Sequence, residues 1–157
     1  HARLISAVED VNRDQKEVLF GMLRSYFKDN LKGKTFAIWG LAFKPNTDDL
    51  REAPSRVLIE AIWQAGAKIK AYDPEAMENF KNHYSDKKDL YELAGSPEAA
   101  LHDADALIVV TEWMVFRSPD FSVIKSQLKN SVVFDGRNLY EPKLVQNCGL
   151  EYFSIGR

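Results

Sequence analysis

Cysteine is nearly absent: the 157 residues contain one, Cys148. A single thiol closes no internal disulfide, so the chain must be held by a hydrophobic core, and it suits a reducing cytosol. Long apolar runs are missing too. No stretch approaches the roughly 18 residues of a membrane span, and no charged-then-apolar leader opens the sequence. Neither charge is in surplus, because Lys, Arg, Asp and Glu leave a net charge of −2. That balance gives no basic field for non-specific binding to nucleic acid or to an anionic membrane. Internal repeats and low-complexity linkers are lacking as well. What is there, 45% hydrophobic and 28% charged residues, is the make-up of one soluble globular domain with a proper core.

Apolar residues first recur at helical spacing. Leu4, Val8, Val11, Gln15, Val18 and Met22 follow at alternating intervals of four and three, and Ile5, Leu19, Leu23 and Phe27 widen the stripe. The spacing predicts a helix to about Lys28, with Asn30 and Gly33 at its exit. His1-Ala-Arg-Leu4 shows no cap residue ahead of this pattern, so it reads as a chain entered part-way along a helix. The stripe either packs on the following domain or bridges to another domain or subunit. Residues 1–30 are therefore set apart from a body of residues 31–157.

The body alternates strands and helices. Apolar runs predict strands from about Thr35 to Leu41, Lys68 to Tyr72, Ala106 to Thr111, Ser131 to Asp135 and Tyr152 to Ile155. Helices are expected from about Pro54 to Ala65, Ser96 to His102, Pro119 to Leu128 and Pro142 to Asn147, with proline at or near each start. Residues 75–95 are polar and weakly patterned, with two short helices expected. Repeated strand–helix–strand units imply parallel pairing with right-handed crossovers. The expected fold is a Rossmann-like three-layer α/β/α domain with a mostly parallel sheet, preceded by a long N-terminal helix.

The loop between the first strand and its helix is long for a βα connection, where about 2–6 residues is normal. It lies at the carboxyl end of a strand, where open α/β sheets bind ligands. A dinucleotide turn of the form G-x-G-x-x-G is not present, since Gly40 is followed by Leu41-Ala42-Phe43, and a Walker loop is missing too. Asp73, ending the second strand, mimics the acid that holds an NAD ribose, but Asp73-Pro-Glu reads better as a helix cap. A phospho-receiver is excluded because Asp48 and Asp49 stand too far from the strand. Recognition of a phosphate-bearing ligand by side chains remains. Lys44 can give a compact charge to a diphosphate and Phe43 can pack beside a base or sugar. Arg51 can offer a planar fork, or pair with Asp48 or Asp49. Thr111-Glu112-Trp113 and Asp135-Gly-Arg-Asn138 also follow strands, with Trp113 read as core and Arg137 reaching across the edge. Two strand-end cations, Lys44 and Arg137, point to an anionic nucleotide site.

These residues carry a resemblance. Gly40-Leu-Ala-Phe-Lys-Pro-Asn-Thr-Asp-Asp-Leu-Arg-Glu-Ala-Pro54, Ala71-Tyr-Asp-Pro74, Val109-Val-Thr-Glu-Trp113 with Phe116, and Phe134-Asp-Gly-Arg137 resemble, in order, the C-terminal domain of the UDP-glucose/GDP-mannose dehydrogenase family. Val11-Asn-Arg-Asp-Gln15 is similar to the end of that family's central helix. Phe43-Lys-Pro-Asn-Thr-Asp-Asp49 and Thr111-Glu-Trp113 look more like its UDP-glucose members than its GDP-mannose members. The resemblance implies that Phe43, Lys44 and Arg137 contact a UDP-sugar substrate, and that Arg51 extends to NAD held mainly by a separate N-terminal domain. It also implies oxidation of a sugar alcohol to the acid by two NAD and a cysteine, a parent that forms a homodimer, and a cytoplasmic location. UDP-N-acetylmannosamine or GDP-mannose as substrate, or a non-enzymatic nucleotide-binding module, stay open as alternatives. Cys148, in Gln146-Asn-Cys-Gly149, does not match the family's glycine-flanked nucleophile and is read as a structural thiol. No catalytic residue is therefore expected in these 157 residues, and they are expected to be inactive by themselves.

Overall fold

The computed structural model describes residues 17–156. Leu4, Ile5, Val8, Val11 and Gln15 of the predicted seam, and the start of the chain, lie outside the described residues. Residues 17–26 are helical (α1). Six strands follow: β1 (Thr35–Trp39), β2 (Lys68–Tyr72), β3 (Tyr91–Leu93), β4 (Ala106–Val109), β5 (Val132–Asp135) and β6 (Glu151–Ser154). Between them stand α2 (Pro54–Gln64), α3 (Met77–His83), α4 (Pro97–Leu101), α5 (Phe121–Gln127) and α6 (Pro142–Asn147), with short 3-10 turns at Ser85–Leu90 and Met114–Phe116.

All strand pairs are parallel and the sheet runs β3-β2-β1-β4-β5-β6. Parallel strands need crossovers on the sheet faces, so the central strands are buried on both sides and read as continuous apolar runs. β1, β4 and β5 behave that way: Phe36, Ile38, Leu107, Ile108, Val133 and Phe134 are fully buried. The order reverses between β1 and β4, which makes that junction the switch point where such sheets open a ligand crevice.

Alternation along the strands assigns each face a cover. Phe36 and Phe134 point to the face covered by α1: Phe27 lies 5.6 Å from Phe36, and Tyr26 lies 5.7 Å from Phe134 and 5.8 Å from Phe153 between ring centroids. Trp39 points the other way. It stacks on Phe116 at 5.1 Å and its indole N–H donates to Pro97 O at 2.9 Å, where α4 begins. The described part of α1 thus packs on this domain through Leu19 and Leu23, which are buried, and Phe27 just beyond its end is partly buried. The expected seam itself is more peripheral, with Met22 partly buried and Val18 exposed.

The strands and helices expected in the body are all present, with no end moved by more than two residues. β1 and β4 stop at Trp39 and Val109, because Leu41, Ala42 and Thr111 turn aside into the site loops. The stretch 75–95 needs correction: besides α3 and a 3-10 turn it contains β3, an edge strand paired with β2 through Tyr91, Glu92 and Leu93. Three residues are too few to show a period, and the neighbouring strand creates this one. Ser96 caps α4 through a bond from Ala99 N at 3.0 Å, as its sequence implies. Cys148 also departs from expectation. It is exposed at the end of α6 rather than part of the core.

Candidate functional site at the switch point

Three loops meet beyond the carboxyl ends of β1, β4 and β5, and two buried carboxylates hold them. The first is Asp73, which directly follows β2. One of its oxygens, Oδ2, accepts from Leu41 N at 2.7 Å, Ala42 N at 3.0 Å and Trp113 Nε1 at 3.0 Å. The other, Oδ1, accepts from Glu75 N at 2.9 Å and Ala76 N at 2.8 Å. The residue is fully buried. The capping role expected of Asp73 is real, but the larger role is to tie the β1 and β4 loops to β2. With every contact spent on internal donors, this acid cannot hold a ribose.

The second carboxylate, Asp135, ends β5 and is also fully buried. It accepts from Arg137 N at 2.9 Å, Leu139 N at 2.7 Å and the Tyr152 hydroxyl at 2.6 Å. This fixes the turn that carries Arg137. Burial, and then the bond to Asp135, push the Tyr152 hydroxyl well above its usual range. Burial also raises Tyr140, whose hydroxyl donates to Phe116 O at 2.6 Å.

The β1 and β4 loops touch directly. Thr111 Oγ1 donates to Ala42 O at 2.8 Å, and Ser55 Oγ, at the start of α2, donates to Leu41 O at 2.6 Å. Gly40 makes this approach possible. Its φ is +102°, and a Cβ there would sit 2.5 Å from Thr111 Cβ and 2.6 Å from Thr111 N. Only glycine combines that dihedral with that contact.

These restraints place Phe43 and Lys44 just outside the buried pair Leu41-Ala42, with both side chains exposed; Phe43 is 48% accessible. Phe43 N donates to Asp49 O at 2.7 Å, which folds the loop back on itself. Arg51 grips Asp49 with its Nε and Nη2, each at 3.0 Å, one of the two pairings open to it in the sequence. That grip holds the Asp49 carboxyl below the usual carboxylate range, and the charge of Lys44 adds to the effect. Arg51 remains 88% accessible and lines an open groove of about 730 Å³ toward α3, together with Arg56, Asn79 and His83. Phe43, Lys44 and Arg137 do not line that groove.

Arg137 stands at the end of β5 and its guanidinium pairs with Glu112, which follows β4. Trp113 is buried as expected. The fold therefore puts Phe43, Lys44, Glu112 and Arg137 on one edge of the sheet at the switch point, and Arg51 on the neighbouring groove. Sequence reasoning missed Asp135 as an anchor and Glu112 as the partner of Arg137. The signal that could have found them is an acid at a strand end with a turn residue after it. Among the described residues no group of His, Cys, Asp and Glu could hold a metal, and no helix is long and apolar enough to cross a membrane.

The order β3-β2-β1-β4-β5-β6, with cationic loops at its reversal, defines a Rossmann-like nucleotide-binding domain. Its β1 loop lacks the glycine-rich turn and its β2 acid is consumed internally, so these residues do not fit an NAD of their own. The sequence carries the assignment further: the chain belongs to the UDP-glucose/GDP-mannose dehydrogenase family, whose UDP binding domain matches residues 37–142. It is 45% identical over 158 residues to a UDP-glucose 6-dehydrogenase of Pseudomonas aeruginosa, covering 99% of this chain and 35% of that protein. It is 37% identical over 155 residues to a UDP-glucose 6-dehydrogenase of Rhizobium meliloti, again covering 99% and 35%. The solved structure of a UDP-glucose dehydrogenase from Pyrobaculum islandicum superposes with a TM-score of 0.77 at 27% identity, over 94% of this chain and 31% of that one. The chain thus spans about a third of the length of the relatives it matches.

Proposed function

We propose that these residues form the UDP-sugar-binding domain of a UDP-glucose 6-dehydrogenase. The family match over residues 37–142 carries the reading, because Phe43, Lys44 and Arg137 all fall within it and on one edge of the sheet. Lys44 supplies a point charge to the diphosphate and Arg137 a planar fork. Phe43 offers its exposed ring to the base or the sugar. In this reading α1 is the end of a helix linking this domain to the rest of a longer, homodimeric chain working in the cytosol. That longer chain oxidises the sugar alcohol twice to a carboxylate, consuming one water and reducing two NAD. NAD is bound mainly outside these residues, and Arg51, on its outer groove, reaches toward it. Hydride transfer and thioester formation belong to that longer chain: Cys148 ends α6 and leads into the amino end of β6, the sheet edge opposite the switch-point loops.

Calorimetric titration of this chain with UDP, UDP-glucose, GDP and NAD, alongside Lys44→Ala, tests the reading. UDP and UDP-glucose should bind at the sub-millimolar level, about −4 kcal/mol or slightly better, and Lys44→Ala should abolish that binding. GDP and NAD should give no heat, and NAD with UDP-glucose should yield no NADH. Equal binding of GDP, or indifference to Lys44→Ala, would sink the proposal.

A further inference from the structure

The geometry assigns Glu112 as a positioning residue, whose carboxylate holds the Arg137 guanidinium in the pose that receives the anionic ligand. This inference deepens the UDP-sugar reading and rests on it.

The backbone of Arg137 is fixed from below. Its N–H donates to buried Asp135, and Gly136 N donates to Val109 O at 2.8 Å, which pins the turn to the end of β4. No such anchor reaches the tip of the side chain except one. Among the described residues the guanidinium pairs only with Glu112, through Nε. That ion pair holds the charged end of the Arg137 side chain against the segment that follows β4. The pair is partly sheltered, with side-chain accessibilities of 43% for Arg137 and 23% for Glu112.

Glu112 is itself unusually well placed to act as a brace. Its neighbours on either side are anchored: Thr111 donates to Ala42 O and Trp113 donates to Asp73. The same two bonds hold the backbone from which Phe43 and Lys44 project. The short segment after β4 therefore sets the position of the Phe43–Lys44 loop on one side and of Arg137 on the other.

A carboxylate beside a cation in an anion site is electrostatically costly, and this makes the inference sharp. By Coulomb's law alone, removing Glu112 should strengthen the binding of an anion. If Glu112 instead orders Arg137, removing it leaves that long side chain to be immobilised at the moment of binding. The cost of ordering one such side chain corresponds to about a two- to tenfold weaker affinity. The two effects have opposite signs.

The test is calorimetric titration of the chain with UDP, for the unmodified protein, Glu112→Gln, Arg137→Ala and the double variant. Glutamine keeps the shape of glutamate and removes its charge, and the thermal midpoint of each variant checks folding. The expected result is a Kd for UDP raised about two- to tenfold in Glu112→Gln, with no weakening when the same change is made in Arg137→Ala. Unchanged or tighter binding by Glu112→Gln overturns the inference. So does equal weakening in both backgrounds, which would mean that Glu112 acts on the fold rather than through Arg137. If Arg137→Ala weakens UDP binding while Glu112→Gln does not, the UDP-sugar reading stands and only the positioning role falls. If Arg137→Ala has no effect, or UDP does not bind, both fall.

Discussion

Replacing Asp73 by asparagine removes the most heavily used acceptor near the site. The five donors on this carboxylate are all N–H groups: Leu41, Ala42 and the Trp113 indole on one oxygen, Glu75 and Ala76 on the other. Asparagine keeps one oxygen, so its NH2 must confront one of the two sets. The cheaper rotamer leaves the oxygen to the first set and faces the NH2 toward Glu75 and Ala76. Each buried donor left without an acceptor costs about 1–3 kcal/mol. The Ala76 bond is buried and the Glu75 bond only partly so, hence open to water. The expected loss is then about 3 kcal/mol, from the lower middle of that doubled range. Set against a total of about 5–15 kcal/mol for a domain, this is a large fraction. Urea denaturation followed by tryptophan fluorescence should show the midpoint falling by about 1–3 M with an unchanged slope. A fall under about 0.5 M would refute the idea that Asp73 holds the loops, and would leave their geometry to packing alone.

Two further outcomes follow from the same structure. Gly40→Ala forces a Cβ against Thr111 at a φ of +102° and should cost about 2–5 kcal/mol from strain and overpacking. Gly95→Ala, where a Cβ meets nothing within 4 Å, should stay within about 0.5 kcal/mol, and equal urea midpoints for the two would contradict the argument. At high pH, Tyr84 is the group to watch: burial, followed by its bond to Glu60, raises its pKa from 10.0 to about 12. A pKa raised by folding means that the stabilisation is intact below pH 10 and lost as the pH rises through about 12. Tyr140 and Tyr152, also raised by burial, act in the same direction. The urea midpoint should therefore decline across that window, less steeply in Tyr84→Phe, and a flat profile would count against the buried-hydroxyl assignment.

Much of the protein is legible in its residues because two periodicities are strong. Continuous apolar runs mark β1, β4 and β5, which must be buried on both faces, and prolines mark the helix starts Pro54, Pro97 and Pro142. The family motifs Gly40–Pro54 and Phe134–Arg137 name the candidate site residues directly, since each is a local string. β3 is not legible, because three residues become a strand only beside β2. The burial of α1 is half legible. The stripe is clear in the sequence, but its burial is decided by the rings it meets, Phe36, Phe134 and Phe153.

The sequence by itself determined the element order apart from β3, the parallel class and the family, all of which depend on local pattern. Tertiary structure alone decided what the two buried acids do. Asp73 meets Trp113 across 40 residues, and Asp135 meets Tyr152 across 17. It likewise decided that Glu112 faces Arg137. A side chain's partner is fixed by which strand ends the sheet order brings together, and the sheet order is a property of the whole chain.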